Sequence, residues 1–222
     1  MKKVITFSNM KGGTGKSILC AFFANYLKYL GYNVAVLDAD IQQTVFRHRS
    51  RDLQTLPPQK DGKVFEPPYE VVALDTANLD VVKAVMANLD DFDGVVLIDC
   101  PGNAVDPALE YIYQRADIAV VPTHYNADNL DATMIFTEGF KSVSDAKMVF
   151  IPNNIVISED RRAEIAESRE KAKELLEKEG ILTPRIKHSV RIECYSTIFP
   201  MEYWQRNFVK YAFEPIVKLI NE

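Results

Sequence analysis

The 222-residue chain has only three cysteines, Cys20, Cys100 and Cys194, and no two of them form a C-x-x-C pair. An odd, scattered set excludes a disulfide frame and a structural zinc site; it reads as reduced thiols, two of them inside apolar elements. No stretch reaches the roughly 18 consecutive apolar residues of a membrane span. The opening MKKVITFSNM starts like a secretion signal, but KGG ends its apolar stretch after a few residues. Basic charge is not in excess: 26 Lys and Arg face 31 Asp and Glu, for a net charge of −5. That excludes a uniformly basic nucleic-acid binder and leaves room for a local basic patch. Glycine and proline are scarce, at nine and eleven, and there is no repeat or low-complexity tract. With 47% hydrophobic residues, the expectation is one cytoplasmic globular domain over residues 1–222.

What is present is a rhythm of strand and helix. VITFS (4–8), NVAVLD (33–38), YEVVALD (69–75), DGVVLID (93–99), DIAVVP (117–122) and KMVFIP (147–152) are apolar runs, and IKHSV (186–190) is a candidate for a last one. ILCAFFANYLKYLG (18–31) is apolar nearly all round and stops at Gly31, as a buried helix would. Apolar strands without alternation, separated by helices, predict an α/β fold: a mostly parallel twisted sheet of about seven or eight strands covered on both faces. Several strands end in Asp or Pro, at the edge where ligands sit in open α/β sheets. The proline-rich 54–70 reads as a surface loop. The charge-dense 158–180 reads as a solvated helix with Ser158 as N-cap, Gly180 as stop and a narrow stripe of Ile165, Ala172, Leu175 and Leu176.

Between the first strand and the first helix lies SNMKGGTGKS (8–17). A strand, a glycine-rich turn and a helix N-terminus aim several backbone N–H groups at one point, which suits phosphate. Gly12, Gly13 and Gly15 leave room for phosphate oxygens. Thr14 lies inside the same loop. Lys16 has the reach for the outer phosphates, and Ser17 suits Mg²⁺. The strict pattern would need glycine at Met10, and a second lysine, Lys11, precedes the turn.

KGGTGKS resembles the deviant Walker A motif of the ParA/MinD family of P-loop ATPases, in which x-K-G-G-x-G-K-[ST] replaces the standard form. In that family the slot held by Met10 is also not glycine. The resemblance implies binding of ATP with Mg²⁺, and a homodimer in which Lys11 reaches the phosphates of the partner's nucleotide. Charge balance agrees, because a triphosphate carries more negative charge than one lysine and one Mg²⁺ neutralise. Ile18 departs from relatives that place a second hydroxyl against the α-phosphate. Losing one such bond costs on the order of 1 kcal/mol.

The resemblance continues through later segments in family order. DADIQQ (38–43) is similar to a D-x-D-P-Q segment, with Ile41 in place of proline. There Asp40 matches the residue that orients the attacking water, and Asp38 would sit near the metal shell. VVLIDCPG (95–102) resembles a Walker B strand and its switch: Asp99 would hold Mg²⁺ through water, and Gly102 would sense the γ-phosphate. Pro122 and Thr123 would face the interface or the switch. Asn153 or Asn154 would contact adenine.

Cysteine usage separates the chain from nitrogenase iron proteins, Mrp-like scaffolds and arsenite-transport ATPases, and there is no C-terminal tyrosine cluster as in bacterial tyrosine kinases. The ending FVKYAFEPIVKLINE is amphipathic, but Glu214 and Glu222 suit an anionic surface poorly, so it reads as a packed final helix and not a membrane anchor. TPRIKHSVRIECYS (183–196) resembles the corresponding region of compact ParA proteins and gathers Arg185, Lys187, His188 and Arg191, with Arg206 and Lys210 downstream. The resemblance implies nonspecific DNA binding by the ATP dimer, through Arg185, Lys187 and Arg191. It also implies a ParB-like activating partner, and segregation of a plasmid, chromosome or mobile element. A MinD-like or other cargo-positioning ATPase, and an accessory ATPase of conjugation or element transfer, are the alternatives.

Overall fold

Strands that are apolar on both sides need cover on both faces, and the sheet has it. The structure, a computed structural model, describes residues 2–57, 65–102 and 106–222. Part of the proline-rich stretch expected as a surface loop, 58–64, lies outside the described residues, as do residues 103–105 of the expected switch. Seven strands form one parallel sheet: β1 Lys3–Phe7, β2 Val34–Asp38, β3 Glu70–Ala73, β4 Val95–Asp99, β5 Ile118–Thr123, β6 Lys147–Pro152 and β7 Ile181–Leu182. Their order is β3-β2-β4-β1-β5-β6-β7, so β1 lies centrally and the chain changes direction on either side of it. That topology opens a crevice at the carboxyl ends of the central strands.

The strand side chains divide by parity. Ile5, Phe7, Val95 and Leu97 face one layer, built on α1 (Lys16–Tyr29), α2 (Thr44–Gln54) and α7 (Tyr203–Ile220). Val4, Val96 and Ile98 face the other, built on α3 (Leu79–Asn88), α4 (Pro107–Gln114), α5 (Ala127–Lys141) and α6 (Ala163–Glu179). Helix α1 buries Leu19 through Leu27 without a gap, as its apolar circumference requires. It ends where Gly31 turns at φ 90°. Asn78, Asp106 and Asn126 cap α3, α4 and α5 through their side chains, and Pro107 opens α4. The final helix packs: Val209, Phe213 and Ile216 are fully buried, and Phe213 meets Phe23 edge-on at 4.9 Å.

Two expectations are corrected. IKHSV (186–190) is not a strand. The seventh strand is Ile181–Leu182, cut short by Pro184, and Lys187 makes a single bridge to Ile155. Asn154, at φ 57°, bends the chain beyond β6 away from regular pairing. Ser158 is not an N-cap either. It lies in a 3-10 turn over Ile157–Arg161, and α6 starts after Arg162. The Arg169 guanidinium grips the Val156 carbonyl, Glu159 and Asp160, which folds that turn back onto the helix. Helix α6 buries Ala172 and Leu176, with Ile165 and Leu175 half-buried, so the narrow stripe is a packing face.

Candidate functional site

The loop after β1 sits at the carboxyl edge of the central strand, and its glycines have structural reasons. Gly13 and Gly15 take φ of 77° and 91°, where side chains with a Cβ are strained. A Cβ on Gly15 would also stand 2.3 Å from Asn153 Nδ2. Gly15 is the N-cap of α1, so Lys16 and Ser17 begin the helix whose N–H groups point into the crevice. Lys16 is buried, whereas Lys11, Gly12 and Gly13 are exposed and Thr14 is fully buried. Ile18 is half-buried and packs on the core. Gly102 lies against the loop: a Cβ there would be 3.2 Å from the Met10 carbonyl and 3.6 Å from Lys16 Nζ.

One residue that the sequence reading missed holds this loop. Asn9 donates to the Pro122 carbonyl at 2.8 Å and to Thr133 Oγ1 at 3.0 Å, and its own oxygen accepts from Lys11 N at 3.3 Å. Thr133 in turn meets Thr123 at 2.8 Å. The loop is thereby tied to the end of β5 and to α5. Pro122 and Thr123, expected at an interface or switch, are buried in this tie. Only the adjacency of β1 and β5 brings Asn9 to Thr133, and no sequence signal marks it.

Two carboxylates meet beside the loop. Asp38 and Asp99 are register partners across β2 and β4, and Asp99 is also opposite Phe7 of β1. Both are fully buried. Asp38 accepts from Phe46 N at 2.9 Å and Asp40 N at 3.3 Å. Burial nonetheless raises its pKa, with these backbone bonds opposing. Among the described residues, neither oxygen of Asp99 accepts a hydrogen bond of good geometry. Burial pushes its pKa to about 8, opposed by the nearby Ser17 hydroxyl and Lys16 and assisted by the charge of Asp38. A buried carboxylate without partners, beside a serine hydroxyl at a phosphate-type loop, fits a hard cation such as Mg²⁺. Asp40 is half-buried on the loop after β2, its Oδ1 accepting from Gln42 N at 2.8 Å, and Ile41 beside it is 88% exposed.

The two asparagines part company. Asn153 is buried and donates from Nδ2 to the Thr14 carbonyl at 2.9 Å, bracing the loop. Asn154 turns outward and meets His188 Nδ1 at 2.6 Å. A cavity of about 180 Å³ lies there, with Gly15, Ile18, Asn153, Lys187 and Ile192 in its wall. A wider cleft of about 630 Å³ opens on the other side of the loop, between Gly12, His124, Asn129 and Arg169.

The basic residues are not equivalent. Arg185 pairs with Asp160 at 2.6 Å, a carboxylate that Arg169 also holds. Lys187 and Arg191 are exposed. Arg206 lies over the Tyr29 ring at 4.4 Å, and Lys210 pairs with Glu214 at 3.7 Å. No described helix is long and apolar enough to cross a membrane.

Comparison with known proteins agrees with this geometry. Three solved structures share the fold along nearly their whole length. A plasmid partition protein of Borrelia burgdorferi B31 bound to AMPPNP aligns with a TM-score of 0.73 at 15% identity, covering 100% of this chain and 99% of that one. A Cyanothece McdA–ATP complex gives 0.73 at 14%, covering 99% and 96%. The pNOB8 ParA bound to nonspecific DNA gives 0.64 at 15%, covering 100% of both. At these identities the likeness is one of fold. An iron-sulfur cluster carrier protein of Rickettsia conorii is 36% identical over 64 residues, a stretch that is 29% of this chain and 20% of that protein. The chain therefore spans about a fifth of that curated relative's length. The family model described as ATPase MipZ matches residues 3–143, more than half of the chain. With its deviant phosphate loop on a seven-stranded parallel sheet, the chain belongs to the MipZ ATPase family, of the ParA/MinD type.

Proposed function

We propose that the protein is a Mg²⁺-dependent ATPase that uses ATP to form a dimer and, as a dimer, binds DNA without sequence preference to segregate a plasmid, chromosome or mobile element. The observation that carries the reading is the buried, unpartnered Asp99, in register with Asp38 and beside the loop of Lys16. We read residues 1–222 as one functional unit. The N–H groups of Gly12, Gly13, Thr14 and Gly15 and the start of α1 receive the phosphates, and Lys16 neutralises the outer ones. Ser17 and Asp99, with Asp38 behind, are the residues that would hold Mg²⁺. When bound, the ion neutralises phosphate oxygens and fixes their geometry. Asp40 orients the attacking water at the γ-phosphate, and Gly102, packed on Lys16, senses whether that phosphate is present. Exposed Lys11 reaches the partner's nucleotide. Asn153 braces the loop with its amide nitrogen and faces the adenine with its oxygen, and Ile18 walls the base. Asn154, turned to His188, has a lesser part. A ParB-like partner stimulates turnover and releases the DNA.

The test is binding to a random-sequence duplex with ATP, with ADP and without nucleotide, over a salt series. Binding only with ATP, falling steeply with salt, is expected. No binding in any state by protein that holds ATP overturns the DNA role. A specific observation favours the second reading, a MinD-like or other cargo-positioning ATPase: with Arg185 engaged by Asp160, the patch is reduced to Lys187 and Arg191. An accessory ATPase of element transfer has no such observation in its favour.

A further inference from the structure

Helix α4 is the next described helix after β4 and begins at Pro107, five positions beyond Gly102. Between it and α5 lies a groove of about 280 Å³. Its walls include an aromatic cluster: Tyr113 meets Phe140 at 4.9 Å and Phe136 edge-on at 6.1 Å. Three features of this groove have no explanation among the described residues. Gly139 sits inside α5, with ordinary negative φ, and a Cβ there would meet nothing within 4 Å. A helix-interior glycine is destabilising relative to alanine, so neither strain nor crowding in the monomer calls for it. Ile135, one turn before it on the groove wall, is 58% exposed. The Tyr113 hydroxyl is buried and makes no hydrogen bond to the described residues. The rim is acidic: Asp106 and Glu110 border the groove, Asp106 Oδ1 accepting from Ala108 N and Glu110 Oε1 from Gln114 Nε2, both neutral donors.

We propose that the α4–α5 groove docks a short helix of a partner protein, apolar on one face and carrying lysine or arginine at its flank. Gly139 lets the incoming backbone approach closely, as small residues do at helix contacts. Ile135 and the aromatic cluster take its apolar face, in the helix-in-groove manner. Asp106 and Glu110 set its direction through its basic flank. Docked there, the partner would act on α4, five positions in sequence from Gly102, where a Cβ would stand 3.2 Å from the Met10 carbonyl and 3.6 Å from Lys16 Nζ. The inference takes the activating partner from the ATPase reading and gives it a surface.

The probe is a fluorescent synthetic helix of about four turns, with leucines along one face and lysines at the flank. Two control peptides carry glutamate for the lysines, or serine for the leucines at unchanged charge. Each is titrated into the full chain and into the variants Gly139→Leu, Ile135→Glu and Glu110→Lys, with folding of each variant checked by denaturant unfolding. Binding of a fluorescent ATP analogue is read in the same samples. The proposal expects saturable binding of the leucine–lysine helix alone, weakened roughly tenfold or more by each variant, the scale of losing one anchor, while nucleotide binding is unchanged. Equal binding to wild type and Gly139→Leu, or none at millimolar peptide, overturns it. A change of oligomeric state in Gly139→Leu without a peptide effect also overturns it, by giving the groove to a second copy. Loss of nucleotide binding in wild type with peptide binding intact would sink the ATPase reading and leave the groove.

Discussion

Replacing Asp99 by asparagine should stabilise the nucleotide-free protein and at the same time remove its response to Mg²⁺ and ATP. The carboxyl is fully buried, unpartnered and shifted to about 8, against about 3.9 in an unfolded chain. Its folded pKa is raised, so the folded state binds the extra proton. Stability from this group is therefore complete below about pH 4 and declines as pH rises towards 8, at about 1.4 kcal/mol per unit. At pH 7 the accumulated cost is about 4 kcal/mol as an upper bound. Asparagine carries no such proton. Its own buried amide costs about 1–3 kcal/mol where unpaired, so the net gain at pH 7 is about 1–3 kcal/mol. The cleaner quantity is the slope, because the amide's cost does not depend on pH. Between pH 5.5 and 7.5 the stability gap between variant and wild type should widen by about 2–3 kcal/mol. Urea unfolding at several pH values measures it. With Mg²⁺ and ATP present, wild type should gain about 2.7 kcal/mol at a hundredfold excess over the dissociation constant, and the variant far less. A gap independent of pH, or full stabilisation of the variant by Mg²⁺ and ATP, would refute the reasoning.

Further outcomes follow from the same site. Lys11→Ala should bind nucleotide as a monomer but form no dimer with ATP on a sizing column; normal dimers would remove the lysine from the interface. Asp40→Ala should hold ATP and persist as a dimer, with turnover strongly reduced in a phosphate-release assay; unchanged turnover would end its water-orienting role. Asn153→Ala breaks the brace to Thr14, so ATP affinity by titration should fall about fivefold to tenfold for the loss of about 1 kcal/mol. Arg191→Ala should lower the salt slope of DNA binding by about 0.9 per lost phosphate contact, whereas Arg185→Ala, already paired with Asp160, should change it little.

The sequence by itself determined the layered fold and the phosphate loop, because both are local. Unbroken apolar runs force burial on two faces, and six of the strands start and end within about three residues of those runs. KGGTGKS carries its own turn chemistry, borne out in the positive φ of Gly13 and Gly15. Local signals failed where the decision was tertiary. Ser158 looks like a cap until Arg169, two turns into the following helix, claims the turn around it. IKHSV looks like a strand until Asn154 turns the preceding chain aside. Asn9 is unremarkable beside KGG, yet it ties the loop to Pro122 and Thr133 because β5 is the neighbour of β1. The two asparagines are alike in sequence, and only the close approach of β6 to the loop separates their tasks. Charge count likewise marks Arg185 as basic, but whether a cation is free depends on which carboxylate the fold brings to it. The residues that act within their own turn were legible, and those whose partners the fold brings from elsewhere were not, whether from nine positions away, as Asp160 for Arg169, or from more than a hundred, as Thr133 for Asn9, since a sequence records side-chain chemistry and only packing assigns the partner.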